Sequence, residues 1–265
     1  MEQKSVFTFL KKYKWIGIAF VILLLAGCGG GINQPINENT SGWFNHYFVY
    51  NFSLIIKKIA SILNGSYGLS IIVITLVIRL ALLPSMLKQT KNSLVVQDKM
   101  KELKPELDAL NEKYKGKKTQ EAQMEKQQEM MKIYQSHQFN PLASFSGCLP
   151  LLIQMPILIA FYYAIRRTPE IAVQSFLWFD LGQTDLLLTG IAVVIYFIQF
   201  KVSQIGLDEK QRKQFAVLGL ISPIMIGVIS LNAPAALPLY WTVGGLFIMM
   251  QTLISKRIYL AHKNK

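Results

Sequence analysis

Five long apolar runs constrain the fold of this chain more than any other feature of its sequence. Runs of this length are typical of membrane-spanning helices, because only a helix or a closed barrel satisfies its backbone hydrogen bonds in lipid. Of the 265 residues, 52% are hydrophobic and only 16% are charged, a composition typical of membrane proteins. The sequence therefore predicts an all-α polytopic membrane protein with five transmembrane helices, at about 67–87, 142–165, 186–200, 215–231 and 237–254.

The N-terminus predicts a processing signal. Lysines precede an apolar core of 11 residues, Trp15 to Leu25, which is too short to be counted as a span. The next residues, Leu25-Ala26-Gly27-Cys28, resemble the lipobox of bacterial lipoproteins, in which signal peptidase II cuts before an acylated cysteine. We predict that residues 1–27 are removed and that Cys28 is lipidated outside the cell. The alternative is that Cys28 is a chance thiol after an ordinary signal.

Basic residues between the runs give the orientation. Three segments, 88–139, 201–213 and the tail from Ser255, hold 19 Lys and Arg, against four in the intervening outer segments. The positive-inside rule places these three segments in the cytoplasm, which agrees with a lipidated N-terminus outside. The same rule accounts for the net charge of +13, so direct nucleic-acid binding is not expected. The predicted location is the bacterial cell membrane, with the C-terminus cytoplasmic.

The outer segment, 28–66, combines a predicted tether with an amphipathic helix. Residues 29–42 are rich in Gly and Asn and predict a flexible linker. The helical spacing that follows favours an interfacial helix on the outer membrane surface, although it also fits packing onto the spans. Its predicted apolar face is Phe44, Phe48, Ile55, Ile59 and Ile62.

A charged segment, 88–139, predicts a helical hairpin in the cytoplasm. It carries 11 lysines and eight acids, and its apolar residues recur at helical spacing through Tyr114. We predict the turn at Gly116 and the cap of the second helix at Thr119. Such a charge-rich pair is either a solvated surface or a docking site for a partner.

Arg79 lies near the middle of the first apolar run. A charge at the membrane centre costs about 2.5–3.5 kcal/mol on insertion scales, so such a residue usually marks a functional site. Snorkelling is the alternative, but Lys88, where the polar segment begins, lies nine residues away, or roughly 13 Å of helix. We therefore predict that Arg79 lies in a polar recess within the membrane.

The spans hold no conventional catalytic set. None of the three histidines and no deep Asp or Glu lies in a span, so we expect neither an enzyme nor a metal or cofactor. The second run is partly polar, with Gln154 between Pro150 and Pro156. The third and fourth runs are short for a bilayer, so local thinning of the membrane is one expectation.

Four segments occur in the order "YGLSIIVITLVIRLALLP", "NPLASFSGCLPLLIQMPILIAFY", "FLWFDLG" and "PAALPLYW". Together they resemble the hallmark motifs of the YidC insertase family, in its Gram-positive, lipoprotein-type form within the Oxa/Alb superfamily. The resemblance implies a hydrophilic groove, open to the cytoplasm and to lipid, with Arg79 at its floor and Gln154, Gln199 and Trp241 beside it. It implies a protein that inserts and helps fold membrane proteins, with nascent chains, the Sec translocon, the ribosome and membrane lipids as partners.

Two other functions remain open from the residues alone: a small-solute transporter or anion channel, and a chaperone for spans that Sec has already inserted. The chain divides into a signal peptide, an outer tether and helix, a first span, a cytoplasmic hairpin, spans two to five, and a short basic tail that disfavours tail-mediated ribosome binding. Their predicted bounds are 1–27, 28–66, 67–87, 88–139, 140–257 and 258–265.

Overall fold

The computed structural model describes residues 34–117, 119–139, 149–207 and 209–263. The predicted signal peptide, Cys28 and the start of the second apolar run at 142–148 lie outside these residues. Helices dominate the described chain, as the sequence predicts. The helices are α1 (Asn51–Ile62), α2 (Tyr67–Lys113), α3 (Gln120–Ser136), α4 (Leu149–Arg167), α5 (Pro169–Ala172), α6 (Leu186–Ser203), α7 (Glu209–Ser230) and α8 (Ala236–Lys263).

Two short elements complete the described fold. A π-helical segment, Asn45–Tyr50, leads directly into α1. A two-stranded antiparallel hairpin pairs β1 (Ser175–Phe176) with β2 (Phe179–Asp180), in the register Ser175 to Asp180 and Phe176 to Phe179.

The chain forms two compact units. The first comprises described residues of Met1–Thr75, Ile153–Val193 and Ile224–Val243. The second comprises described residues of Leu76–Leu152, Val194–Pro223 and Gly244–Lys265. The boundaries fall inside five helices, so each unit holds parts of α2, α4, α6, α7 and α8.

Among the described residues, three helices are long and apolar enough to cross a membrane: α2, α6 and α8 up to Tyr259. A shorter apolar stretch, Gly219–Ser230, lies in α7. The chain is therefore a helical membrane protein. Helix α6 extends the predicted third run by three residues, and α7 begins six residues before the predicted fourth run.

Two helices continue across predicted domain bounds. Helix α2 runs without interruption from Tyr67 to Lys113. The helix therefore does not end where the sequence changes from apolar to charged after residue 87. Helix α8 likewise continues to Lys263, so the predicted tail at 258–265 begins as helix. Composition changes at these points, but a helix needs no change in backbone geometry to leave the membrane.

The helical hairpin of the second unit has the turn that the sequence predicts. Gly116 adopts a φ of 82°, a left-handed conformation that glycine takes at little cost, and α3 begins four residues later. The Thr119 hydroxyl accepts a hydrogen bond from the Ala122 amide over 3.3 Å, which caps α3. A small apolar cluster joins the two helices: Leu110, Tyr114 and Ala122, with Met130 and Ile133 packed against them.

The buried face of α1 differs from the predicted one. Ile55 and Ile62, both assigned to the apolar face, are exposed, and the buried positions are Val49, Ser53, Ile56 and Ala60. The π-helical segment explains the difference between the buried face and the predicted apolar face, because its i to i+5 bonding adds a residue to the turn and rotates every later position. A face extrapolated from Phe44 and Phe48 at α-helical spacing therefore misses the buried side of α1.

The described part of the predicted tether is not a free linker. The Ile36 amide donates to the Arg167 carbonyl oxygen over 2.9 Å, and Ile36 is itself buried. The Arg167 guanidinium donates to the Gln34 carbonyl oxygen over 2.8 Å and to the Asn45 side-chain oxygen over 3.0 Å. Arg167 thus fixes residues 34–36 to the end of α4, which composition alone does not reveal.

A polar cluster closes the end of α6 in the second unit. The Lys256 ammonium donates to the carbonyl oxygens of Val202, Ser203 and Ile205 over 3.1, 2.7 and 2.7 Å. A cation at this position satisfies carbonyl groups that a helix leaves unpaired at its C-terminus. The Lys101 ammonium reaches the next carbonyl along, that of Gly206, over 2.7 Å.

Candidate functional site

Arg79 is buried within the second unit, on the part of α2 that the sequence identifies as a span. Only 4% of the surface of Arg79 is exposed. This burial favours a charge held within the protein over one that snorkels to the membrane surface.

Gly244 of α8 forms one wall around the Arg79 guanidinium. A methyl group at position 244 would lie 2.9 Å from Arg79 Nη2 and 3.3 Å from Nε. Contacts this short show that the guanidinium lies directly against the backbone of α8. The absence of a side chain at Gly244 therefore makes room for the charged group.

The neighbouring glycine, Gly245, makes room for side chains of α6. A methyl group at Gly245 would lie 2.8 Å from the Tyr196 ring and 2.9 Å from Ile195, both in α6. Gln199, half-buried, lies one turn beyond Tyr196 and therefore on a similar side of α6. The two adjacent glycines allow α8 to approach Arg79 and α6 within the second unit.

Gln154 and Trp241 lie in the first unit. The Gln154 side-chain amide donates to the Tyr240 hydroxyl, and Tyr240 and Trp241 are both buried. The Tyr240 ring also packs against Phe161, with 4.9 Å between ring centroids. The hydrogen bond from Gln154 to Tyr240 therefore joins α4 to the start of α8.

The structure thus groups the four predicted site residues in two pairs. Gln154 and Trp241 belong to one compact unit, and Arg79 and Gln199 to the other. Two polar residues near them differ in their bonding. Thr75 donates to the Ile71 carbonyl oxygen over 2.6 Å within its own helix, whereas the buried Thr242 hydroxyl makes no hydrogen bond to the described residues.

Sequence reasoning missed two residues of this arrangement. Gly244 was not assigned, although two consecutive glycines inside an apolar run signal a close approach of neighbouring helices. Tyr240 was also missed, because a tyrosine beside Trp241 fits an ordinary membrane-interface residue equally well. Only the contact with Gln154 distinguishes it.

These features define a class of protein: a polytopic helical membrane protein that encloses an arginine within a span. In the described ranges, no three His, Cys, Asp or Glu side chains lie close enough together to hold a metal ion. The described parts of the predicted hallmark motifs lie on α2, α4, the β-hairpin and the start of α8.

Comparison with known proteins identifies the family. The family described as "60Kd inner membrane protein" matches residues 58–263. The chain is 45% identical to "Membrane protein insertase YidC 2" of Listeria monocytogenes over 239 residues, which cover 90% of this chain and 85% of the relative. It is 41% identical to "Membrane protein insertase MisCB" of Bacillus subtilis over 269 residues, with 97% and 96% covered. The chain belongs to the YidC membrane protein insertase family.

Proposed function

We propose that this protein inserts integral membrane proteins into the bacterial cell membrane and helps them fold. The observation that carries the proposal is the burial of Arg79 inside a span, in a chain whose relatives are named insertases. Those names favour insertion over the transporter or channel alternative. They also agree with the prediction that the chain is no enzyme, since insertion forms and breaks no covalent bond.

The working element is a hydrophilic groove with Arg79 at its floor and Gln154, Gln199 and Trp241 along its walls. Burial of the charge supports this assignment, because a buried charge needs a polar environment. The buried Thr242 hydroxyl supports a wet groove, since buried polar groups without a protein partner normally bind water.

Insertion proceeds from the cytoplasm without an energy source in this chain. The polar N-terminal tail of a substrate enters the groove, where Arg79 attracts acidic side chains, and the apolar segment moves out into lipid. The barrier falls because the tail never crosses the full hydrocarbon core in one step. A membrane potential that is negative inside adds about 2.3 kcal/mol per 100 mV for each negative charge carried outward. Acidic tails therefore benefit most.

The topology of the proposal has five spans, the N-terminus outside and the C-terminus in the cytoplasm. The three candidate spans and the distribution of Lys and Arg support it. A lipid on Cys28 anchors the outer end, and the exposed Trp43 and Tyr47 make α1 and its π-helical segment suitable for the outer interface.

The partners are nascent membrane proteins, membrane lipids and, through the cytoplasmic hairpin, the Sec translocon or the ribosome. The hairpin supports a docking role because its two helices are joined by specific contacts. The Lys113 ammonium lies 2.6 Å from a Glu129 carboxylate oxygen, and His137 lies 2.7 Å from Glu106. A joined pair presents a defined surface to a partner.

The test uses a single-span reporter with an acidic N-terminal tail, in cells depleted of their own insertase. Wild type, Arg79→Lys and Arg79→Ala are compared, and cleavage of the tail by external protease measures translocation. We expect Lys to retain most activity and Ala to lose about tenfold, the effect of about 1.4 kcal/mol of lost attraction.

Two controls make the test specific. Arg257→Ala removes one exposed charge from α8, outside the groove and the helical hairpin, and should translocate the reporter as wild type does. A reporter with a neutral tail should depend little on Arg79. Equal translocation of the acidic tail by wild type and Arg79→Ala would contradict the attraction mechanism.

A further inference from the structure

The β-hairpin of the first unit ends in two exposed apolar residues, Leu177 and Trp178. Leu177 is 74% exposed and Trp178 is 52% exposed. Leu177 also adopts a φ of 55°, a left-handed conformation that disfavours side chains larger than glycine. A glycine or asparagine at the first turn position would avoid both the strain and the exposure. Neither feature of Leu177 helps the chain to fold.

The base of the hairpin is firmly held. The Ser175 hydroxyl donates to the Asp180 carboxylate over 2.6 Å, and the Leu181 amide donates to the Gln174 carbonyl oxygen over 2.8 Å. Phe179 is buried behind the turn. The tip is therefore presented by a braced element.

Contacts within the first unit place the hairpin beside the ends of membrane helices. Phe176 packs so closely on Gly68, in the first turn of α2, that a methyl group at Gly68 would lie 2.1 Å from its ring. Just after the hairpin, the carbonyl oxygens of Leu181 and Gln183 accept the amides of Ala236 and Ala235, where α8 begins. The hairpin is thus at the level where spans begin, which is the membrane surface.

The lipid-facing surface continues next to it along the chain. Leu186 and Leu187, in the first turn of α6, are 72% and 62% exposed, as expected for side chains that face lipid. Tryptophan is enriched at the membrane interface, because its ring is apolar and its N–H remains hydrated. Both the depth of the tip and its residue types suit a lipid interface.

We propose that the Leu177–Trp178 tip inserts into the headgroup region of the bilayer at the outer ends of the spans. The occupant is phospholipid, at the boundary between headgroups and acyl chains. The strained backbone at Leu177 turns its side chain outward, and the braced base fixes the depth of the tip relative to α2 and α8. The hairpin is thereby an interfacial anchor, separate from the Arg79 groove and from the lipid proposed on Cys28.

Depth measurement on the full chain in phosphatidylcholine vesicles tests this proposal. A nitroxide at Leu177→Cys, in a background with Cys148 replaced by serine and with Cys28 retained for lipidation, reports its accessibility to oxygen and to a water-soluble nickel complex. Two sites calibrate the scale: Val194→Cys, exposed in the middle of α6, for lipid, and Lys115→Cys, exposed in the turn of the helical hairpin, for water. We expect the label at 177 to give a value between these two, with oxygen favoured.

A second measurement leaves Leu177 in place. Trp178 fluorescence, isolated as the difference between wild type and Trp178→Phe, should be quenched by lipids brominated near the headgroup more than by lipids brominated near the chain ends. Leu177→Asn keeps the left-handed turn but removes the apolar side chain, and should reduce this quenching by about half.

The outcomes separate the proposal from its rivals. A label at 177 as accessible to nickel as the label at 115, together with no quenching of Trp178, would overturn it. A label at 177 that becomes lipid-like only after a translocon is added would also overturn it, and would assign the tip to a protein partner instead. Neither result depends on insertase activity, so the anchor can fail while the proposed function stands.

Discussion

At the residue scale, Gly244 determines where the charge of Arg79 lies. The Arg79 Nη2 atom lies against the α8 backbone, in the volume that the absence of a side chain at Gly244 leaves open. The attraction between a buried charge and a charge on the substrate depends on the distance between them. In a low-dielectric site, a shift of about one ångström therefore changes this attraction.

Replacing Gly244 with alanine should displace the guanidinium without removing it. Adding a methylene to a packed site typically costs about 1–3 kcal/mol, and here the added carbon would lie 2.9 Å from Nη2. If about 1 kcal/mol of attraction is lost, translocation of the acidic-tail reporter falls roughly fivefold. Gly190→Ala, where the structure shows nothing within 4 Å, is the matched control and should have no effect.

Rescue distinguishes this positioning role from general damage to packing. The lysine ammonium is compact, so Arg79→Lys should tolerate alanine at position 244. The double variant should then translocate as well as Arg79→Lys alone, which makes the two substitutions strongly non-additive. Additive losses would show that Gly244→Ala acts through helix packing and not through Arg79.

At the element scale, the helical hairpin is stabilised by a charged contact between its two arms. Both Glu129 carboxylate oxygens lie within 2.8 Å of the Lys113 ammonium, and the Tyr114 hydroxyl donates to the same carboxylate over 3.0 Å. Hydrogen bonds from Lys113 and then from Tyr114 lower the pKa of Glu129 below its ordinary value of 4.5. The contact therefore favours the ionised form of Glu129.

Acid should loosen the two arms. Because the folded pKa of Glu129 is depressed, its contribution to stability is present above pH 4.5 and is lost as the pH falls through the folded pKa. Nitroxides at Asn111 and Gln128, one on each arm, should give a narrow distance distribution at pH 7 that broadens below pH 4.5.

Two substitutions assign this broadening to one carboxylate. Glu129→Gln should give a broader distribution already at pH 7, with less further change in acid. Glu112→Gln removes only an exposed pair with Lys115 on the same arm, and should behave as wild type. Unchanged acid broadening in Glu129→Gln would assign the effect to another group, such as the Glu106 carboxylate that pairs with His137.

The elements differ in how far the sequence predicts them, for physical reasons. The turn at Gly116 and the cap at Thr119 follow from local backbone chemistry, so the sequence locates both correctly. The buried face of α1 depends on a π-helical segment, which has no clear signal in residue type. The contact between Arg79 and Gly244 joins residues 165 positions apart, and such pairings are invisible to local patterns.

At the scale of the whole molecule, helix length sets the fit to the bilayer. Helix α6 has 18 residues, or roughly 27 Å, and a hydrocarbon core is about 30 Å thick. Helix α7 has 22 residues, but its first turns carry Arg212 and Lys213, and the apolar run that follows in the sequence, 215–231, has 17 residues, or roughly 26 Å. The bilayer must thin around α7, or its charged residues must approach the hydrocarbon.

Thinning lowers the barrier that a substrate tail crosses, so insertion should depend on lipid chain length. Mismatch costs fractions of a kcal/mol per ångström, and α6 and α7 together should favour thin membranes. In proteoliposomes of phosphatidylcholine with 14-, 18- or 22-carbon chains, we expect reporter insertion to be greatest in the thinner bilayers, after subtraction of insertion into protein-free liposomes.

A paired variant tests whether α7 sets this preference for thin bilayers. Lys213→Leu with Gln214→Leu lengthens the apolar run by two residues, or roughly 3 Å, and removes an exposed pair between Lys213 and Glu209. It should shift the preferred thickness upward, because the lengthened helix no longer requires a thin bilayer. Insertion that rises steadily with chain length, or an optimum that does not move in the variant, would show that α7 does not thin the membrane and that the groove alone lowers the barrier.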